Sequence, residues 1–186
     1  MTVKTKRLIL RPWQENDLEA FAGLNADPKV MEYFPAVKTF EESVKEQEAI
    51  LEHFKKHGYG WWAVSEKNNA NFIGFIGLRY IDFPASFTPS VEVAWRLAYA
   101  YWGKGYATEG ANASLEYGFK VLKLPEIISF TSILNIRSQA VMKRIGMHHD
   151  SQDDFDHPKL SKEHKLSRHV LYRLKLSQWQ QLKGER

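Results

Sequence analysis

The sequence predicts an α/β fold class, with strands and helices alternating along one chain of 186 residues. Three observations carry that prediction. Apolar residues alternate with period two over residues 7–11, 91–97 and 168–176, the spacing of strands with one buried face. Ala107, Ala111, Leu115 and Phe119 recur every fourth residue, which puts them on one face of a helix. A glycine-rich turn, Gly103-Lys104-Gly105, joins the second of those strands to that helix.

The elements follow in order. Leu8 and Leu10 share one face of the first strand, Ile9 takes the other, and Pro12 stops it. Asn16-Asp17 is placed to cap a helix that buries Leu18, Phe21, Ala22 and Leu24. Thr39-Phe40-Glu41-Glu42 is a capping box, and its helix runs to about His57, where Gly58 supplies the stop. Strands at 60–65 and 72–81 are joined by an Asn68-Asn69 turn. A loop at 84–89 leads to the strand 91–97, the aromatic and glycine-rich turn 99–106, and the long helix. Residues 126–132 are β-branched and aromatic and read as a strand; 137–145 read as a helix ended by Gly146. Residues 148–167 are polar and carry no period, and 168–176 closes the chain's regular structure as a strand. No internal repeat or linker interrupts the series, so one domain over 1–186 is expected.

Composition narrows the partners. Hydrophobic residues at 44% and charged residues at 26% are ordinary for a soluble globular chain. No apolar run approaches the roughly 18–20 residues that span a bilayer. The first seven residues lead into a strand and not into a signal-peptide apolar stretch, so a cytoplasmic protein without a membrane partner is expected. The absence of cysteine excludes disulfides, thiolate metal sites and a cysteine nucleophile. A net charge of +4 favours anionic ligands such as phosphates. Because 22 acidic residues are interspersed with 26 basic ones, direct nucleic-acid binding is not expected.

The segment Trp102-Gly103-Lys104-Gly105-Tyr106-Ala107-Thr108-Glu109-Gly110 is the most informative. Glycines let the backbone turn tightly and let an anion approach unobstructed. The free amides and dipole of a helix N-terminus then favour a phosphate. A Walker loop is excluded, since Lys104 precedes Gly105 and Ala98 stands where its first glycine belongs. A dinucleotide fingerprint is also excluded, since its third glycine falls on Thr108. What remains is a coenzyme A pyrophosphate loop or a plain turn that needs glycine.

In its wider context the segment resembles the coenzyme A site of the GNAT N-acetyltransferase superfamily, whose loop reads Gln/Arg-x-x-Gly-x-Gly/Ala. The run 102–107 matches that loop except at Trp102. Tryptophan there resembles the subgroup that includes ribosomal-protein N-terminal alanine and serine acetyltransferases. Thr5-Lys6-Arg7-Leu8-Ile9-Leu10-Arg11-Pro12 is similar to that subgroup's opening strand. Asn135-Ile136-Arg137-Ser138 and Met142-Lys143-Arg144-Ile145-Gly146-Met147 are similar to its second coenzyme A motif. The matches stand in the expected order over about residues 5 to 150.

The resemblance implies a central mixed, mostly antiparallel, V-shaped sheet of about seven strands with helices on both faces. It implies acetyl-CoA as cosubstrate, a primary amine as acceptor, and no metal. The backbone around Trp95, Arg96 and Leu97 would pair with the pantetheine arm as an added strand would. Trp102, Gly103, Lys104, Gly105, Tyr106, Ala107 and Thr108 would form the pyrophosphate loop, with Asn135 and Ser138 beside the pantetheine and thioester. An acceptor-walling homodimer is a further expectation of this fold.

Amide formation needs a neutral amine, a polarised thioester carbonyl and a protonated leaving thiolate. A main-chain amide near 95–97 is placed to stabilise the oxyanion. Glu92 shares a strand with that backbone and is the candidate general base; its plain alternative is a strand-face carboxylate paired with a basic neighbour. Many members of the superfamily donate a proton from a tyrosine seven residues after the asparagine, which here is Met142 and cannot do so. The resembling subgroup points instead to Ser138, whose plain alternative is an N-cap-like serine.

The acceptor side is the least specified. Tyr33-Phe34-Pro35, Trp61-Trp62 and Tyr80-Ile81-Asp82-Phe83 are either pocket walls or core. The acidic run Asp153-Asp154-Phe155-Asp156-His157-Pro158 is either an attractor for a cationic amine or a solvated turn. His148, His149 and His157 have no metal-ligand spacing. A protein N-terminal α-amine, a small amine such as a polyamine, amino acid or antibiotic, and a non-catalytic acyl-CoA sensor all remain open on the residues alone.

Overall fold

A computed structural model describes residues 1–184 and divides into two compact units, each described by itself. The first holds Met1–Arg79 and Ala94–Ser114; the second holds Tyr80–Val93 and the chain from Leu115.

The first unit opens with β1 (Val3–Lys4) and β2 (Leu8–Arg11), followed by helices α1 (Asp17–Ala26) and α2 (Phe40–His57). Then come β3 (Trp61–Glu66) and the long β4 (Asn69–Ile81), whose last two residues belong to the second unit. These four strands pair antiparallel in chain order, with Val3 opposite Leu10, Leu10 opposite Val64 and Val64 opposite Gly74. The alternation of β4 decides what lies on each face. Phe75 packs with Phe21 of α1 and Ile50 of α2. Ile76 points the other way and meets Gly110 of α3 (Tyr106–Lys120), so helices cover both faces of these strands. Leu8, Leu10, Phe21, Ile73 and Ile76 are fully buried, the core that the period-two and helical patterns select.

The capping box at the start of α2 is present in both halves: Thr39 Oγ1 accepts from the Glu42 amide, and Glu42 Oε2 accepts from the Thr39 amide. Gly58 ends the helix at φ 76° in the left-handed region. The expected cap at Asn16 is corrected: its side chain makes no cap bond. Asp17 is buried instead and receives both guanidinium ends of Arg11 at 2.7 Å, because a buried carboxylate needs such a partner.

In the second unit the first half of β5 (Ser90–Leu97) runs parallel to β6 (Glu126–Ser132), with Glu92 opposite Ile128. Helix α4 (Ile136–Arg144) follows, then the two-residue strands β7 (His148–His149) and β8 (Phe155–Asp156). The long β9 (Arg168–Lys175) is antiparallel to β6 and carries β7 and β8. Its sequence passes directly into α5 (Leu176–Gly184), where Trp179 packs on Phe119. Among the pairings described, β5 with β6 is parallel and the others are antiparallel, so the strand set is mixed and mostly antiparallel, as the resemblance implies.

Among the described residues nine strands stand where about seven are expected, because β1, β7 and β8 are two residues long and too short to show a period. The turn between β3 and β4 falls on Lys67 and Asn68, with Asn69 already in the strand, and the register shifts beside it. Within the span 148–167, read as aperiodic, lie β7, β8 and a 3-10 turn at Ser151–Asp153. No helix among the described residues is long and apolar enough to cross a membrane.

Candidate active site

In the first unit the second half of β5 runs into a 3-10 turn, Tyr99–Tyr101, and then into the glycine loop ahead of α3. Gly103 and Gly105 adopt φ of 74° and 77°, with no positive φ at Lys104 between them. Alternating backbone of this kind gathers consecutive amides into a concavity suited to an anion. All three residues are exposed. A Cβ built on Gly103 would meet nothing within 4 Å, and one on Gly105 only the Arg7 guanidinium at 3.4 Å. The left-handed φ, not crowding, is therefore what demands glycine here. An open, glycine-lined cradle of amides at a helix start fits the pyrophosphate of acetyl-CoA. Lys104 Nζ lies 4.9 Å from the Tyr101 ring centroid, beside the cradle. Ala107 and Thr108 occupy the first turn of α3 and are half-buried. Tyr106 is buried, and its hydroxyl is hydrogen-bonded to Glu66 of β3.

The strand before the loop is held on both sides. Trp102 Nε1 donates to the Leu97 carbonyl at 2.7 Å, so the tryptophan that departs from the family loop ties the strand end to the loop. The Ala98 amide donates to the Ile73 carbonyl at 2.9 Å. Trp95 is half-buried. The Arg96 side chain is 7% exposed, and Nη1 reaches Asn25 Oδ1 at 2.7 Å and Glu46 Oε2 at 3.2 Å. Its guanidinium carbon lies 4.4 Å from the Phe34 ring and 5.0 Å from the Phe75 ring. Arg96 can therefore serve a ligand through its backbone while its side chain anchors α1 and α2. Burial pushes the Glu46 carboxyl up, but the charges and hydrogen bonds of Arg96 and Lys38 outweigh this and hold it below the usual range.

Arg7, expected within the opening strand, lies instead in the bend before β2 and reaches the glycine loop. Its Nη1 donates to the Lys104 carbonyl at 2.8 Å and its Nε to Glu109 Oε2 at 2.6 Å. The signal that would have found it is the pairing of Thr5-x-Arg7 with Glu109, since Thr5 Oγ1 and the Arg7 amide both donate to Glu109 Oε1.

In the second unit Glu92 is 8% exposed on β5. Asn135, not Ser138, is the N-cap of α4: its Oδ1 accepts from the Ser138 amide at 3.1 Å and its Nδ2 donates to Thr131 Oγ1. That corrects the N-cap-like alternative for Ser138, which sits three residues after the cap. Met142 is fully buried. The acidic run is engaged: Asp153 pairs with Arg173 at 2.6 Å and Asp156 with Arg168 at 3.6 Å, and Asp154 Oδ1 is hydrogen-bonded to His149 Nε2 at 2.7 Å. Among the described residues no group of three or more His, Cys, Asp or Glu is arranged to hold a metal ion. Trp62 is core; Trp61 stacks on Phe75, and Phe83 joins Phe87, Phe130 and Phe155 in an aromatic cluster.

A family model described as acetyltransferase (GNAT) domain matches residues 7–148. The uncharacterized N-acetyltransferase YnaD of Bacillus subtilis is 35% identical over 147 residues, covering 79% of this chain and 82% of its own. The spermidine N(1)-acetyltransferase of Vibrio cholerae is 27% identical over 143 residues, covering 75% and 78%. The solved ribosomal-protein-S5-alanine acetyltransferase of Vibrio fischeri superposes with a TM-score of 0.73 over 96% of this chain and 98% of its own. At 19% identity it speaks for the fold alone.

Proposed function

The chain belongs to the GNAT acetyltransferase family and is an acetyl-CoA-dependent N-acetyltransferase; from that premise we propose that its acceptor is the α-amine of a peptide or protein N-terminus, acetylated by direct attack in a ternary complex. The neutral amine nitrogen attacks the thioester carbonyl carbon, the new C–N bond forms, and the C–S bond breaks. Glu92 takes the proton from the amine, directly or through one water, from its buried place on β5. The main-chain amides of 95–97 stabilise the oxyanion. The C–S bond pair goes to sulfur, which leaves as the thiolate hydrogen-bonded by the Ser138 hydroxyl and takes its proton from solvent, since an alcohol is too weak an acid to protonate it outright at neutral pH. No acyl-enzyme is required.

The observation that carries the choice of acceptor is the state of the acidic run. A polyamine calls for unpaired carboxylates, and Asp153, Asp154 and Asp156 each face a basic side chain. The spermidine enzyme among the relatives keeps a small polyamine as the second reading.

The test is thiol release from acetyl-CoA with N-terminal peptides beginning in alanine or serine against spermidine, with Glu92→Gln alongside. Peptide turnover well above spermidine is expected, and Glu92→Gln should lower kcat about a hundredfold with CoA affinity unchanged, the scale of a lost general base. Turnover on spermidine alone would overturn the peptide reading. A Glu92→Gln enzyme of full activity would remove that residue as the base.

A further inference from the structure

We propose that Arg7 is a positioning residue for the phosphates of acetyl-CoA, acting on the loop 103–108 from the bend between β1 and β2. The inference rests on that loop's being the pyrophosphate cradle and adds what makes the cradle competent.

Two features of the loop oppose anion binding unless something corrects them. The first is Glu109, a carboxylate in the opening turn of α3. It suits the helix dipole but repels any phosphate brought to the same amides. Its oxygens are turned to the opening segment: Oε1 accepts from Thr5 Oγ1 at 2.6 Å and from the Arg7 amide at 2.7 Å, and Oε2 accepts from Arg7 Nε at 2.6 Å. Burial pushes that carboxyl up, and these bonds outweigh the push, so it stays charged with the Arg7 cation directly against it.

The second feature is the Lys104 carbonyl. In a trans peptide the C=O and the following N–H point opposite ways. Arg7 Nη1 holds this carbonyl at 2.8 Å, so the Gly105 amide is directed away from Arg7. With Gly103 and Gly105 both at positive φ, that peptide could otherwise rotate and present an oxygen to the phosphates. The guanidinium is itself fixed, lying 4.7 Å from the centroid of the Tyr106 ring, whose hydroxyl is tied to Glu66. One planar fork thus does two things, and a lysine, with one ammonium, cannot reach both acceptors in the same geometry. Arg7 is 43% exposed, and exposed ion pairs add little to stability, so its effect should appear in cofactor affinity and not in folding.

The experiment titrates CoA and dephospho-CoA into wild type, Arg7→Gln, Arg7→Lys and the double variant Arg7→Gln/Glu109→Gln, with thermal midpoints and acetyl-CoA kinetics measured in parallel. Arg7→Gln should weaken both ligands by about tenfold, the size of one lost charge-assisted hydrogen bond, because both carry the pyrophosphate. KM for acetyl-CoA should rise in proportion while kcat holds, and the midpoint should move by no more than about 2 °C. Arg7→Lys should stay weak, and the double variant should bind better than Arg7→Gln alone. Unchanged affinity in Arg7→Gln, full recovery in Arg7→Lys, or a loss confined to CoA would overturn the proposal; the last would make Arg7 a ligand of the 3′-phosphate. A wild type that binds neither ligand would instead bring down the pyrophosphate reading of the loop itself.

Discussion

At the scale of single residues, Arg96 illustrates how one strand position serves two purposes. Its backbone belongs to the segment expected to face the pantetheine arm, and its side chain is buried among Asn25, Glu46, Phe34 and Phe75. A buried guanidinium is tolerable only while its partners remain, because the desolvation cost is otherwise uncompensated. Glu46→Ala should therefore destabilise the protein by about 3–5 kcal/mol, the usual result of breaking a buried pair from one side. Arg96→Met on top of it should restore much of the loss, since a hydrophobic replacement of both charges removes the penalty as well as the bond. Urea denaturation of the two single variants and the double measures the coupling. If the double variant is as unstable as the sum of its parts, the pair is not the energetic unit that the geometry implies. None of this was legible in the sequence, where Arg96 read only as a strand residue: its carboxylate partner lies 50 positions away. The same holds for Arg7 and Glu109, which are 102 positions apart.

At the scale of elements, the legible features were those whose cause is local. Thr39 and Glu42 cap α2 through bonds within four residues, and the glycine stop at Gly58 needs only its own φ, so both could be read directly. Strand β6 likewise declared its own ends through its composition. Helix α5 was missed because it starts without a break from β9. Its start is marked by Gln178 Oε1 accepting from the Lys175 amide, and Trp179 is held by Phe119, a partner no local pattern reveals. Contacts between strands are similarly hidden. Gly74 has φ 141°, and a Cβ there would stand 2.2 Å from the Arg96 carbonyl oxygen and 2.7 Å from Leu97 Cα. Backbone cannot yield as a side-chain tip can, so Gly74→Ala should separate β4 from the end of β5 and cost roughly 1–3 kcal/mol, the range for overpacking. CoA affinity should fall with it, because the displaced strand is the one tied to the loop through Trp102 and Leu97. Calorimetry with and without CoA checks both; a stable variant with full affinity would show that the two strands can part without consequence.

At the scale of the whole molecule, each unit contains a histidine kept neutral by its surroundings, and together they set the response to acid. In the first unit His53 is pushed down to about 4, chiefly by burial, with His57, Arg79 and Lys56 adding to the effect against the pull of the Tyr59 carbonyl. In the second, His157 is pushed down to about 4, again chiefly by burial, with His169 and Lys159 beside it. The ordinary value of 6.5 applies to both in the unfolded chain. Between 6.5 and about 4 the unfolded chain therefore binds protons that the folded chain refuses. By linkage, falling pH then favours unfolding. Stability should be complete above pH 6.5, decline as the pH drops towards 4, and stop declining from this cause below it. Both rings are only about half-buried, so solvent screening reduces the effect below its face value. A fall in thermal midpoint of roughly 3–8 °C across that window is the expected size. Glu46 acts in the same direction at lower pH, since a carboxyl held below its ordinary range loses its contribution only as it is protonated. Scanning calorimetry from pH 7.5 to 4 on wild type and on His53→Gln/His157→Gln separates these causes. The double variant should show a clearly shallower decline between pH 6.5 and about 4, the slopes converging only as the pH nears 4. Parallel curves throughout would mean that neither His53 nor His157 governs the acid response, and that His169, also held below its ordinary value by burial, or the carboxylate pairs account for it.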